Sequence, residues 1–99
     1  MSTEAYKIKQ VRRAILEALN MTYPSSQRLD SLFRIILGVD PTYDRAIFAK
    51  DITYLIDKGY IKFVESPVLP QTFDKRLARL TPEGKEIADR TMTDRALEI

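Results

Sequence analysis

The apolar pattern of this chain changes period at a single glycine. Before it, Phe48, Ile52, Leu55 and Ile56 recur at the three- and four-residue spacing of a helix face. After Gly59, the run Tyr60-Ile61-Lys62-Phe63-Val64 is β-branched and aromatic and partly alternates, as a strand does. A helix from near Thr42 to Lys58, stopped by Gly59 and followed at once by a strand, is the frame into which the remaining segments must fit. Asp44 in the first turn of that helix suits the positive end of its dipole.

Upstream, Ile8, Val11, Ile15 and Leu19 repeat at helical spacing, and Ala14, Leu16 and Ala18 widen the stripe. This predicts a helix over 4–20, capped by Ser2 or Thr3. Lys7, Lys9, Arg12, Arg13 and Glu17 fall mostly off the stripe, as a solvated face would. Pro24 disfavours helix at Tyr23 and breaks the pattern. Ser25 or Ser26 suits the cap of a second helix that buries Leu29, Leu32, Phe33 and Ile36 and stops at Gly38.

Downstream, Ser66-Pro67-Val68-Leu69-Pro70-Gln71 is excluded from a central strand, because two prolines lack ladder donors. It reads as a loop, after which Lys75–Leu80 returns as a second strand. Thr81 then caps a last helix, with Pro82 at its first position and Glu83 favouring the dipole. Ile87, Ala88, Thr91 and Met92 give that helix a weak apolar face, and the tail 94–99 continues it or frays. The expected architecture is mostly α with a small β-hairpin, in the order α-α-α-β-β-α, as one domain over 1–99.

Several function classes are disfavoured by composition. No apolar run reaches the roughly 18–20 residues of a membrane span. The first residues have no apolar signal core, so a cytoplasmic location is expected. With no cysteine and no histidine, thiol chemistry is absent, a zinc site is restricted to carboxylates, and the commonest general base is missing. Asp44 and Asp51 share a helix face seven residues apart, but no phosphate loop, base or metal partner accompanies them. No catalytic residue, metal site or cofactor is therefore expected.

Two blocks carry a family resemblance. Asp51-Ile52-Thr53-Tyr54-Leu55-Ile56-Asp57-Lys58-Gly59-Tyr60-Ile61 resembles the end of a recognition helix and the first wing strand of winged helix-turn-helix regulators of the MarR, PadR and ArsR type. Leu80-Thr81-Pro82-Glu83-Gly84-Lys85-Glu86-Ile87-Ala88 is similar to their junction between wing and final helix. The size and order also resemble small winged-helix proteins of Mu-like prophages. The resemblance spans roughly Val11 to Arg90 and implies a protein that binds double-stranded DNA, a regulator of phage or mobile-element type. It rests on residues any winged helix needs, so it speaks to fold more than to function.

The resemblance also implies where contacts would fall. Tyr43, Arg45, Lys50 and Thr53, with Ala46, are placed toward base edges by a third helix in the major groove. Lys75, Arg76 and Arg79, with Lys62 across the hairpin, are placed to hold phosphates. Each group has a plainer reading: a mixed-charge solvated helix face that also bears Asp44, Asp51 and Asp57, and edge-strand protection by charge. Val68, Leu69 and Phe73 either fold back on the core or offer a protein-binding edge. A homodimer through the first and last helices would use Tyr6, Met92, Leu97 and Ile99. The formal charge of +2 from 16 basic and 14 acidic residues decides nothing by itself. A winged-helix adaptor that binds protein rather than DNA is the alternative.

Overall fold

The computed structural model describes residues 3–64 and 72–97. They form four helices and a small antiparallel sheet of three strands. In chain order these are α1 (Thr3–Asn20), β1 (Gln27–Arg28), α2 (Leu29–Val39), α3 (Arg45–Asp57), β2 (Ile61–Val64), β3 (Leu77–Leu80) and α4 (Pro82–Ala88). Single 3-10 turns lie at Phe73–Lys75 and Arg95–Leu97. Among the described residues, no helix is long and apolar enough to cross a membrane.

One apolar core joins these elements. α1 contributes Val11, Ile15, Leu16 and Leu19; α2 contributes Leu29, Leu32, Phe33 and Ile36; α3 contributes Phe48, Ile52 and Leu55. Ile61, Ala78 and Leu80 close it from the sheet, and Ile87 from α4. Each fully buried Leu or Ile stabilises the fold by roughly 1.5–3 kcal/mol relative to exposure. The periodic stripes of the sequence are this core.

The sheet has the order β1-β3-β2. Ile61 pairs with Leu80, Lys62 with Arg79, Phe63 with Ala78 and Val64 with Leu77. Alternation along the strands sends Ile61, Phe63, Ala78 and Leu80 inward and Lys62 and Arg79 outward. β1 adds Gln27 opposite Ala78 and Arg28 opposite Leu77. The expected hairpin is therefore a three-stranded sheet. Two residues are too few to show alternation, so β1 leaves no periodic trace.

Several boundaries differ from those the sequence predicts. α2 begins at Leu29, not after Ser25 or Ser26, because Gln27 and Arg28 are held in the β1 ladder. Gly38 lies inside the last turn of α2, and the extended residue after the helix is Asp40. α3 starts at Arg45, with the Asp44 carboxylate accepting from the Ile47 N–H at 2.9 Å. β3 starts at Leu77, since Phe73–Lys75 is already a 3-10 turn.

Gly59 ends α3 with φ +82°, a left-handed conformation that costs any other residue. From there a clasp joins sheet and α4. The Thr81 N–H donates to the Tyr60 carbonyl at 3.0 Å, and the Thr81 hydroxyl donates to the Gly59 carbonyl at 2.6 Å. The same hydroxyl accepts from the Gly84 N–H at 3.0 Å, the expected cap. α4 stops at Ala88, and Arg90 follows at φ +64°, so Thr91 and Met92 do not extend the helix. Asp94 accepts from the Tyr60 hydroxyl at 2.6 Å and pairs with Lys58 at 2.9 Å. That anchor brings Leu97 into the core against α1.

Candidate nucleic-acid interface

The exposed side of α3 loses one of its acids, Asp51, to the interior, while Asp44 and Asp57 stay exposed at its two ends. Asp51 is 3 % exposed, accepts from Arg12 Nε of α1 at 3.0 Å, and accepts from the Tyr43 hydroxyl at 2.5 Å. Asp44 is occupied in capping the helix. What remains outward along the helix is Arg45, Ala46, Ile47, Lys50 and Thr53, with Asp57 at the far end. The Thr53 hydroxyl donates back to the Ala49 carbonyl at 2.9 Å. At 100° per residue, Arg45 and Lys50 stand roughly 140° apart and bracket Ala46 and Thr53.

Tyr43 is not on that surface. It is 7 % exposed, its ring meets Phe33 and Phe48, and its hydroxyl is held by Asp51. Burial, reinforced by the neighbouring carboxylate, pushes its phenol well above the ordinary value of 10.0. The base-contact role expected of Tyr43 is therefore corrected: it is a core residue that locks the turn before α3.

Arg12 and Arg13 also leave the role expected of them, a solvated face of α1. The Arg12 guanidinium lies 3.6 Å from the centroid of the Tyr54 ring while it pairs with Asp51. Arg13 is buried and donates to the Ala88 carbonyl at 3.3 Å, which ties α1 to the end of α4. Arg12 and Asp51 are 39 residues apart, so no local spacing reveals their pairing. A carboxylate and a cation on otherwise mixed stripes were the only signal.

The cations around the hairpin divide between two places. Phe73 folds back on the core, in edge contact with Phe48 at 6.1 Å, and Phe48 lies 5.3 Å from Phe33. Arg45 of α3 sits over Phe33 at 5.2 Å. The Phe73–Lys75 turn packs against α2, and its Phe73 ring reaches Phe48 of α3, with Lys75 exposed. Arg76 follows, stacked 3.5 Å over Phe63, whose side chain belongs to the inner face of the sheet. Arg79 is on the outer face with Lys62. Arg45 thus lies on the Phe33–Phe48–Phe73 cluster and Arg76 on Phe63, while Arg79 stands on the opposite face of the sheet from Phe63. Val68 and Leu69 lie outside the described residues.

Of the residues expected at a dimer interface, Tyr6 and Met92 are exposed, at 49 % and 41 %. Leu97 is fully buried inside its own chain, which removes it from any interface and corrects that expectation. Ile99 lies outside the described residues. Along one edge of the exposed side of α3, Ile47 and Lys50 join Lys7, Ile8 and Val11 in lining a cleft of about 450 Å³ above the Arg12–Asp51–Tyr43 network.

Comparison with protein-family models, curated proteins and solved structures finds no match to this chain.

Proposed function

We propose that this chain is a winged helix-turn-helix protein that binds double-stranded DNA, with α3 as the recognition helix and the Phe73–Arg76 segment beside it on the backbone. The order of elements and the β1-β3-β2 sheet are consistent with that fold. The observation that carries the reading is the inward turn of Asp51. It leaves Arg45, Lys50 and Thr53 on the outer side of α3, where Arg pairs with guanine and a Thr methyl meets thymine. Lys75 and Arg76 supply the phosphate contacts that dominate affinity. The protein acts as a transcriptional regulator without cofactor, and a homodimer through Tyr6 and Met92 would match a palindromic site.

A second reading is an adaptor that docks another protein. Exposed Ile8 and Ile47 on either side of the α1–α3 cleft favour it, with Ile35 and Val39 exposed on α2. A salt series with random duplex DNA separates the two. Duplex binding predicts an affinity that falls linearly on a log–log plot, with a slope of about −0.9 per phosphate contacted. No binding even at low salt would remove the DNA reading and leave the adaptor.

A further inference from the structure

The outer face of the sheet holds a second group of cations, on the side away from the core. Lys62 and Arg79 are cross-strand partners in direct register. Side chains so placed have Cβ atoms roughly 4.5–5.5 Å apart, and like charges at that separation repel. Neither forms an ion pair among the described residues. Among the described residues the Arg79 guanidinium reaches the Pro24 carbonyl, at 3.5 Å. Opposite them the α1–β1 loop presents Ser25 and Ser26, whose hydroxyls make no hydrogen bond with a described residue.

These groups, with Pro24 and Val64, surround an open cleft of about 560 Å³ that no described carboxylate lines. Two cations from neighbouring strands and two hydroxyls from a facing loop supply donors from several directions. That arrangement suits a tetrahedral oxyanion with three or more acceptor oxygens better than a planar carboxylate, which one guanidinium already satisfies. The cleft is open to solvent, so the phosphate it takes can be one group of a larger ligand.

We infer that Lys62, Arg79, Ser25 and Ser26 form a binding site for the phosphate group of a larger ligand. The site stands apart from α3, and its existence does not rest on the duplex reading. Two sources offer the same chemistry: a backbone phosphate of nucleic acid, or the phosphate of a free monoester such as a nucleotide. An unbalanced cation pair in direct register is also the expected cost of keeping such a site.

The test uses the full chain and the double variant Lys62→Gln with Arg79→Gln. Amide NMR spectra are followed on adding inorganic phosphate, then a nucleoside monophosphate, then random duplex DNA, each against chloride at equal ionic strength. The expected result is saturable shifts at Ser25, Ser26, Lys62 and Arg79 that the double variant lacks. In phosphate-free buffer the double variant should unfold at the same temperature or higher, because it relieves repulsion.

If the bound phosphate belongs to nucleic acid, the double variant also loses about tenfold in duplex affinity, and its salt slope shrinks by about 1–2. If it belongs to a free monoester, the double variant keeps the parent's duplex affinity, and only the parent shows the shifts with monophosphate. Absence of shifts at these four residues with every ligand overturns the inference, as does a lower unfolding temperature for the double variant. Arg45→Ala with Lys50→Ala, scored on duplex affinity alone, reports separately on α3.

Discussion

Replacing Gly84 with alanine should damage this fold although alanine is the better helix former. A Cβ at Gly84 would stand 1.9 Å from the Tyr60 carbonyl oxygen, 2.7 Å from its carbon and 3.0 Å from its Cα. These are backbone atoms of the chain entering β2, so no rotamer change relieves the clash. An ordinary contact needs α4 to withdraw by about 1.5 Å, and overpacking of that kind costs roughly 1–3 kcal/mol. Withdrawal also stretches the two hydrogen bonds from Thr81 to Gly59 and Tyr60, each worth about 1 kcal/mol. The better helix propensity of alanine returns at most about 1 kcal/mol. The net loss is about 2–4 kcal/mol, read as a reduced urea midpoint by circular dichroism. In a domain of this size it corresponds to a fall of roughly 10–25 °C in Tm. Gly38→Ala is the control: no heavy atom lies within 4 Å of the added carbon, and α2 should gain a few tenths to about 1 kcal/mol. A Gly84→Ala protein within about 0.5 kcal/mol of the parent would refute the argument, because it would mean α4 does not sit against Tyr60.

Other consequences are equally direct. Tyr43→Phe should cost about 1–2 kcal/mol, from the lost bond to Asp51, and leave duplex affinity unchanged; a drop in affinity at equal folding would return Tyr43 to the interface. Leu97→Ala should destabilise by about 2–5 kcal/mol without altering the sedimentation coefficient of the folded protein, since the side chain is internal. Arg45→Ala and Lys50→Ala should each lower duplex affinity, and a pure phosphate contact would take about 1 from the salt slope. Asp89 accepts from Lys85 at 2.7 Å and Asn20 at 2.8 Å, which hold its carboxyl below the usual 3.8. A depressed carboxyl contributes stability above the unfolded value and loses it as pH falls through the folded one. Carbon-detected titration of Asn20→Ala should therefore place the Asp89 midpoint nearer 3.8 than in the parent.

What the sequence disclosed and what it withheld follow from the range of the interactions. The stripes of α1, α2 and α3 repeat over several turns, so Ile15, Leu32 and Ile52 announce themselves. Gly59 and Thr81-Pro82 are legible because a left-handed stop and a cap are local chemistry. β1 is two residues long and exists only because β3 arrives beside it. Gly84 looks like an ordinary weak point in a helix until Tyr60 is placed against it. Leu97 lies in a tail with little periodicity, and it enters the core beyond an Asp94 held by Tyr60 and Lys58 across the fold. The candidate site shows the same division. The family resemblance points to Arg45, Lys50 and Thr53 on the third helix, while the removal of Tyr43 and the separation of Arg79 from Arg76 depend on contacts across the fold.

The charge of α3 makes the point quantitatively. Along the sequence its helical residues carry Arg45 and Lys50 against Asp51 and Asp57, a neutral sum that argues against a polyanion. Yet Asp51 is buried against Arg12, so its field largely cancels with that guanidinium instead of reaching solvent. Asp57 is at the C-terminal end, several turns from Arg45, and beyond a Debye length of about 8 Å at physiological salt its effect on an approaching phosphate is screened. The first two turns therefore keep Lys50 clear of Asp51, although Asp44 at the cap adds an acid at the very start. Counting charges along a helix overstates acids that fold inward. In this chain the cation that neutralises Asp51 comes from α1, so the electrostatic character of α3 is decided by a residue that is not on it.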